Sequence, residues 1–412
     1  MRNYNQYKLF SEIESKFYYI FFALFFLSPI YKYYEILELF PAINLSIIRL
    51  LIFVPSFILF FLKLPVNFKY FNSSILISFL ILYFGFLSAT LISYFKYDFI
   101  SSYIYDYLNN LNSIAVNYFM FFVIGIFFIY TYLKNKEDLR KKITIMWFIY
   151  LIFCFNIISN LFLGYGGNLL GETGLNYIDL ADKFAFISLV LIVLSDSDRN
   201  RIIFFVITLI ILFFVPSRAT FAAFILSSMI YTTIASRFIQ KNILKILLAI
   251  IMLFIISKFI PTEVTENNRI YNTNFLTLED SSLDKRGKIL NVNLKLIEKY
   301  ILFGRFMGSY EAFGKSGHYI HSYISILQQY GIFLFSGFML LYLTAFRKIW
   351  WMYKNRNKNK LFHVIIILFI FVSIEIAIAR SYHDPIIWII FGFLTYIKKN
   401  HLAIKRISNE RK

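Results

Sequence analysis

Five side chains in this sequence are suited to work on a phosphate: Arg218, Arg286, Arg305, Arg380 and His321. A guanidinium fork matches phosphate oxygens in a bidentate fashion. Two or three forks converging on one spot would hold a diphosphate and stabilise the charge that grows as it leaves. An imidazole titrates near neutrality and can take a proton from an attacking hydroxyl. Arginines plus one base are therefore the equipment for moving a sugar from a diphosphate ester without a metal. Other chemistries fail on residue type. Gly166 and Gly171 have the spacing of a nucleotide loop, but Glu172-Thr173 stands where Lys-Ser/Thr is required. Asp196-Ser197-Asp198 lies in a loop too short to house a nucleotide. His318 and His321 are three apart, yet no neighbouring carboxylate completes a metal-ligand set. Neither a metal nor a cofactor is expected.

The elements that must position these residues are membrane helices. The chain is 59% hydrophobic and 16% charged, with 51 Phe and 31 Tyr, more apolar surface than a water-soluble domain of this size can hide. A hydrocarbon core of about 30 Å takes about 20 mostly apolar residues as helix. Such stretches predict twelve spans, at 17–34, 43–62, 74–94, 113–133, 143–163, 177–194, 202–215, 219–236, 243–260, 322–346, 361–379 and 385–397. Residues 17–30 lack a following small-residue cleavage pattern and read as the first span, not a signal peptide. The whole of 1–412 is expected to be one all-α integral membrane domain.

Lys and Arg crowd the N-terminal segment and alternate loops. The short loops on the other side hold only Lys32, Lys96 and Arg380, with Arg218 at the turn after 202–215. This asymmetry places both termini in the cytoplasm. It also accounts for the net charge of +19, so nucleic acid is not an expected partner. The single cysteine, Cys154, excludes a disulfide within the chain.

Three places interrupt the plain spans. Asp179 and Lys183 are four apart on the sixth, with Asp182 between them; they pair either as a structural brace or at a functional, wet cavity. The run Ile202–Val215 is about 14 residues, roughly 21 Å as helix, which is too short to cross. Pro216 then ends it, so the turn carrying Arg218 is expected below the outer surface. Arg218 faces either an outward-open cavity or lipid headgroups, with the cavity favoured by that depth. Third, Arg380-Ser381-Tyr382-His383-Asp384-Pro385 either lines the same cavity or simply connects two spans. Residues 261–321 form one large outward loop between the ninth and tenth spans. Within it, apolar positions 289, 290, 292, 294, 296 and 297 predict an amphipathic helix over 283–300 with Arg286 in its first turn.

Pro216-Ser217-Arg218-Ala219-Thr220 resembles the Ser-Arg-Gly/Ala element of the O-antigen ligase and Wzy-type polysaccharide polymerase superfamily. Lys285-Arg286 before Phe303-Gly304 resembles the start of that superfamily's large periplasmic loop. His321-Ser322-Tyr323, followed by Gln328-Gln329-Tyr330-Gly331, is similar to its His-Asn/Ser element. Arg305, Ile301-Leu302 and Ser322 depart from the usual residues at their positions. The resemblance implies a GT-C-like, metal-independent glycosyltransferase of the bacterial inner membrane that uses an undecaprenyl-diphosphate-linked oligosaccharide. Arg218 and Arg286 would hold the diphosphate and His321 would activate the acceptor hydroxyl. Arg305, Arg380 and Tyr323 would contact substrate, as would Asp179 and Lys183 if their pair serves a wet cavity and not a structural brace. A flippase and a chain-length regulator are the implied partners, besides the lipid bilayer. The acceptor distinguishes a polymerase, which extends another lipid-linked repeat unit, from a ligase, which loads lipid A core. A transporter of lipid-linked glycans is the alternative of a different class, although no paired halves with matching broken spans stand out.

Overall fold

The computed structural model describes residues 12–36, 39, 41, 45–68, 71–96, 104–162, 177–215, 217–235, 281–314, 322–354, 359–378 and 385–396. Among these, nearly all are helical and none is in a strand. Apolar solvent explains the choice, because a helix satisfies its backbone polar groups within one segment. In chain order the helices are α1 Glu12–Ile36, α2 Leu45–Asn67, α3 Ser73–Lys96, α4 Ile104–Asn112, α5 Phe119–Lys134, α6 Lys136–Phe162 and α7 Tyr177–Leu194. They continue as α8 Asp198–Phe214, α9 Arg218–Ala235, α10 Ser281–Tyr300, α11 Gly308–Phe313, α12 Ile324–Lys354, α13 Lys360–Ile378 and α14 Pro385–Tyr396. A π-helical turn, Ser113–Tyr118, joins α4 to α5.

Six of these stretches, among the described residues, are long and apolar enough to cross a bilayer: 47–65, 73–96, 107–134, 136–159, 324–354 and 360–377. The chain is a multi-pass, membrane-embedded, all-α protein. Other expected spans are shorter or more charged, since α8 has 17 residues, α14 has 12, and α7 carries Asp179, Asp182 and Lys183. The expected span at 243–260 lies outside the described residues, as do both chain ends.

The core forms where apolar residues surround a helix on every side. All residues of α14 from Ile386 to Tyr396 are buried, and α5 is buried along nearly its whole length. These two helices touch backbone to backbone at Gly125 and Gly392. A Cβ on Gly125 would sit 2.1 Å from the Ile389 carbonyl oxygen, and one on Gly392 would sit 2.0 Å from that of Phe122. Small residues permit close approach in a setting where lipid gives helices no hydrophobic reason to associate. Around this axis, α3 and α12 pack on one side. A second group, α7, α8, α9 and α13, meets this axis through α13 itself and through α1 and α6. The outer shell is apolar and faces lipid, with Leu51, Leu62, Phe95 and Ile152 largely exposed.

Hydroxyls inside the spans are absorbed locally. Ser56, Thr90, Thr144 and Thr395 each donate to the carbonyl four residues earlier. Ser188 also joins three helices, accepting from Trp147 Nε1 at 3.0 Å and from Thr208 Oγ1 at 2.8 Å. At the π-helical turn, the Tyr83 hydroxyl of α3 donates to the Ala115 carbonyl at 2.7 Å, tying α3 to the widened turn.

Gly392→Val should destabilise the protein by about 1–3 kcal/mol or more, because neither neighbouring backbone can move without shifting a whole helix. Gly287→Ala, which meets nothing within 4 Å in α10, is the control and should leave the melting temperature in detergent unchanged or slightly raised. Equal melting temperatures for Gly392→Val and the parent chain would contradict the close crossing.

Candidate functional site

The best-defined polar construction lies where α12 breaks. Gly331 has φ 77° and ψ −178°, which interrupts an otherwise continuous helix. A break in a membrane helix strands backbone groups that lipid cannot satisfy. Here the turn after α10 satisfies them. Arg305 N donates to the Gln328 carbonyl at 2.9 Å, and Ile332 N donates to the Ile301 carbonyl at 2.8 Å. The fit leaves no room for side chains at either glycine. A Cβ on Gly331 would lie 2.2 Å from the Leu302 carbonyl oxygen, and one on Gly304 would lie 2.3 Å from Tyr330 N. Gly304 itself has φ +70°, a left-handed conformation that glycine adopts without penalty. Two of the elements on which the family resemblance rests, Phe303-Gly304 and Gln328–Gly331, are thus interlocked through their main chains.

The interlock fixes α10 against α12. Asn293 and Ile297 form the buried stripe of α10, while Leu290 and Leu294 are exposed, continuing into exposed Ile301, Leu302 and Phe303. The expected amphipathic helix is therefore present, starting two residues earlier than predicted. Arg305 stacks on the Tyr300 ring at 4.8 Å, donates to the Tyr300 hydroxyl, and pairs with Glu311 of α11 at 2.6 Å. Its charge is answered within the loop, and a substrate phosphate would have to compete with Glu311. Tyr323 packs its ring against Tyr342 at 5.1 Å and Phe338 at 6.1 Å. Ser322 receives a hydrogen bond from Ile324 N at 3.1 Å, which starts α12. Arg286 lies in the first turns of α10 by its backbone, but its side chain is outside what the structure describes; His321 and Arg380 are wholly outside the described residues.

A second cluster surrounds the turn between α8 and α9. Val215 and Ser217 are 3% and 5% exposed and Thr220 is fully buried, so this turn is packed inside the bundle. The Ser217 and Thr220 hydroxyls bond at 2.7 Å, and Thr220 donates to Asp182 Oδ1 of α7. Arg218 begins α9 inside this network by its backbone; its side chain is not among those described. One turn along α7, Lys183 pairs with Asp179 at 2.7 Å, as their spacing predicts. Lys183 is only 4% exposed and also donates to the Phe25 carbonyl at 2.8 Å and to Ser28 Oγ at 3.0 Å. Arg49 of α2 lies within electrostatic reach of both Asp179 and Lys183. The result is a set of charges on α2 and α7 that is tied to α1 through the Phe25 carbonyl and Ser28 and to α9 through Thr220.

Two ionisable residues inside the helices escaped the sequence reading. Arg49 and Glu375, the latter fully buried in α13, are single ionisable residues inside long apolar runs. The signal was available, because a charge within a span is costly enough to need a reason.

Asp196, set aside as a nucleotide ligand, instead gathers cations. It pairs with Arg140 and Lys360 at 2.5 Å each and with Lys136 at 3.6 Å. Lys360 also donates to the Ser195 carbonyl at 2.7 Å, so this acid ties together α6, the start of α8 and the start of α13. The Lys360 ammonium, aided by Lys136 and Arg140, holds the Asp196 carboxyl down to about 2.

No protein-family model matches this chain, and no curated protein matches it.

Asp179→Ala should cost about 2–3 kcal/mol of stability by leaving buried Lys183 without its carboxylate, somewhat less than a fully buried pair because Asp179 is 36% exposed. Adding Lys183→Met should restore most of that loss, read as the melting temperature in detergent; equal melting of the single and double variants would dismiss the pair as its source. Because the Asp196 carboxyl is depressed, its contribution is complete above the ordinary carboxylate value of about 4 and is lost as pH falls towards 2. The parent chain should therefore lose more stability between about pH 5 and 2 than Asp196→Asn, and parallel curves would contradict the assignment.

Proposed function

We propose that this protein is a polymerase of lipid-linked glycans, with the twelve-span, GT-C-like architecture and cytoplasmic termini expected from its sequence, set in a bacterial inner membrane. It would transfer a growing glycan from undecaprenyl diphosphate to a sugar hydroxyl of another lipid-linked repeat unit. The observation that carries this reading is the main-chain interlock of Phe303-Gly304-Arg305 with Gln328–Gly331. It makes one unit of the amphipathic helix that carries Arg286 and the broken helix that follows His321. The buried Ser217–Thr220–Asp182 network adds support, since it roots the first residue of α9, Arg218, beside other charges within the bundle.

In the proposed reaction the acceptor hydroxyl oxygen attacks the anomeric carbon of the donor sugar. The bond from that carbon to the diphosphate oxygen breaks, and the leaving diphosphate keeps the electron pair. The hydroxyl proton passes to His321. Arg218 and Arg286 grip the diphosphate and offset its growing charge, a task for which a planar fork is better built than a lysine ammonium. Neither step calls for a divalent ion.

Purified protein given a lipid-diphosphate-linked repeat unit should produce longer lipid-linked glycans, with neither core acceptor nor ATP present. His321→Ala should lower that rate by about 10²–10⁴-fold while the amount of protein in the membrane stays normal. EDTA should leave turnover unchanged. Full activity in His321→Ala removes the base assignment, and transfer only to core oligosaccharide makes the protein a ligase. Movement of the lipid across the bilayer without chain growth makes it a transporter.

A further inference from the structure

An apolar crevice of about 380 Å³ opens between α1, α5 and α6. Its walls include Tyr19 and Ala23 of α1, Phe127 and Thr131 of α5, and Ile145 and Met146 of α6. Lys142 stands at one end, its ammonium 3.9 Å from the Tyr19 ring centre and 2.8 Å from Asp138. Ile145 is 59% exposed, so the crevice lies on the lipid-facing side of the bundle. No other helix of the described chain fills it.

The charges around this end are unequal. Among the described side chains the acids are each answered: Asp138 by Lys142, Glu137 by Arg140, and Glu14 by Lys63. Three cations are not. Lys16, Lys134 and Lys141 are exposed and have no ion-pair partner among the described residues. Each belongs to a different wall and shares a helical face with residues lining the crevice. Lys16 is three and seven residues before Tyr19 and Ala23, Lys134 is three and seven after Thr131 and Phe127, and Lys141 is four before Ile145. Because α5 passes into α6 through Asn135 alone, Lys134 and Lys141 lie at one end of the bundle. The Lys142–Tyr19 contact brings Lys16 to that end as well.

An apolar slot open to lipid, ringed by one unanswered ammonium from each wall, matches the two ends of a single molecule. We propose that this crevice binds an anionic glycerophospholipid, with one acyl chain in the slot and the phosphate among Lys16, Lys134 and Lys141. Desolvated apolar walls hold the chain, and the lysines select the headgroup, as basic pockets at the ends of membrane helices do. The site is independent of the proposed glycosyl transfer and would be occupied whatever reaction the protein performs.

The test is native mass spectrometry of the full-length protein in detergent, with dioleoyl phosphatidylglycerol and dioleoyl phosphatidylethanolamine as probes. Phosphatidylglycerol should bind in preference, at a stoichiometry of one. The triple variant Lys16→Gln, Lys134→Gln, Lys141→Gln should weaken that binding by at least about tenfold and leave the weaker phosphatidylethanolamine binding unchanged. These side chains are exposed and have no ion-pair partner among the described residues, so the variant should fold, which its melting temperature checks. Ala23→Trp, which fills the slot, should lower binding of both lipids. Equal binding of the two lipids by the parent chain would overturn the site, as would full phosphatidylglycerol binding by the triple variant. So would complete displacement by equimolar undecaprenyl phosphate, which would make the slot a berth for the carrier tail.

Discussion

Inside a bilayer a backbone amide or carbonyl that loses its helical partner has no water to turn to. The break at Gly331 in α12 creates that problem, and the turn at 301–305 solves it with two main-chain hydrogen bonds. Much else follows from this exchange. It demands glycine at 304 and 331, because the two backbones approach too closely for any Cβ. It also holds the amphipathic α10 against the bundle, although that helix buries only a narrow stripe of its own. An unsatisfied buried backbone group costs about 1–3 kcal/mol, so leaving both ends of the break open would cost more than the strain of a left-handed residue. The break persists because the turn is cheaper than the alternative.

The same accounting separates the structural charges from those available for chemistry. Asp196 and its three cations sit at the edge of the bundle with much of the acid exposed, and their contribution is a modest tie between helices. Lys183 is different, since it is nearly fully buried and spends its donors on Asp179, the Phe25 carbonyl and Ser28. Arg305 is likewise engaged, by Glu311 and Tyr300. Arg49 lies near Asp179 and Lys183, and its Nε makes no hydrogen bond among the described residues.

What could be read from the sequence was periodicity and spacing along one helix. The amphipathic helix over 283–300 was visible in its apolar positions, and the Asp179–Lys183 pair in its separation of four. The break at the Ser217 turn was visible in Pro216 and in the end of the apolar run before it. Hydropathy marked where apolar runs begin, not where helices do: α6 starts at Lys136 rather than 143, its charged first turns held by pairs such as Asp138–Lys142. α12 likewise runs on to Lys354. Contacts between distant segments were not legible. Nothing local to Gly125 announces Gly392, nothing in Thr220 announces Asp182, and the engagement of 301–305 with 328–332 depends on two backbones meeting across the loop. Of the residues expected to carry chemistry, Arg305, Tyr323, Asp179 and Lys183 can be placed with their contacts, whereas the roles of Arg218, Arg286 and His321 rest on their positions in the chain and on the resemblance.

Hydrogen–deuterium exchange of the protein in lipid nanodiscs, resolved to the amides of Arg305 and Ile332, tests the interlock most directly. Both amides should exchange slowly in the parent chain. In Gly331→Ala both should become fast together, along with those of α10, while α5 and α14 stay protected. Rapid exchange at either amide in the parent chain would show that the turn does not close the break, and the arrangement built on it would fall.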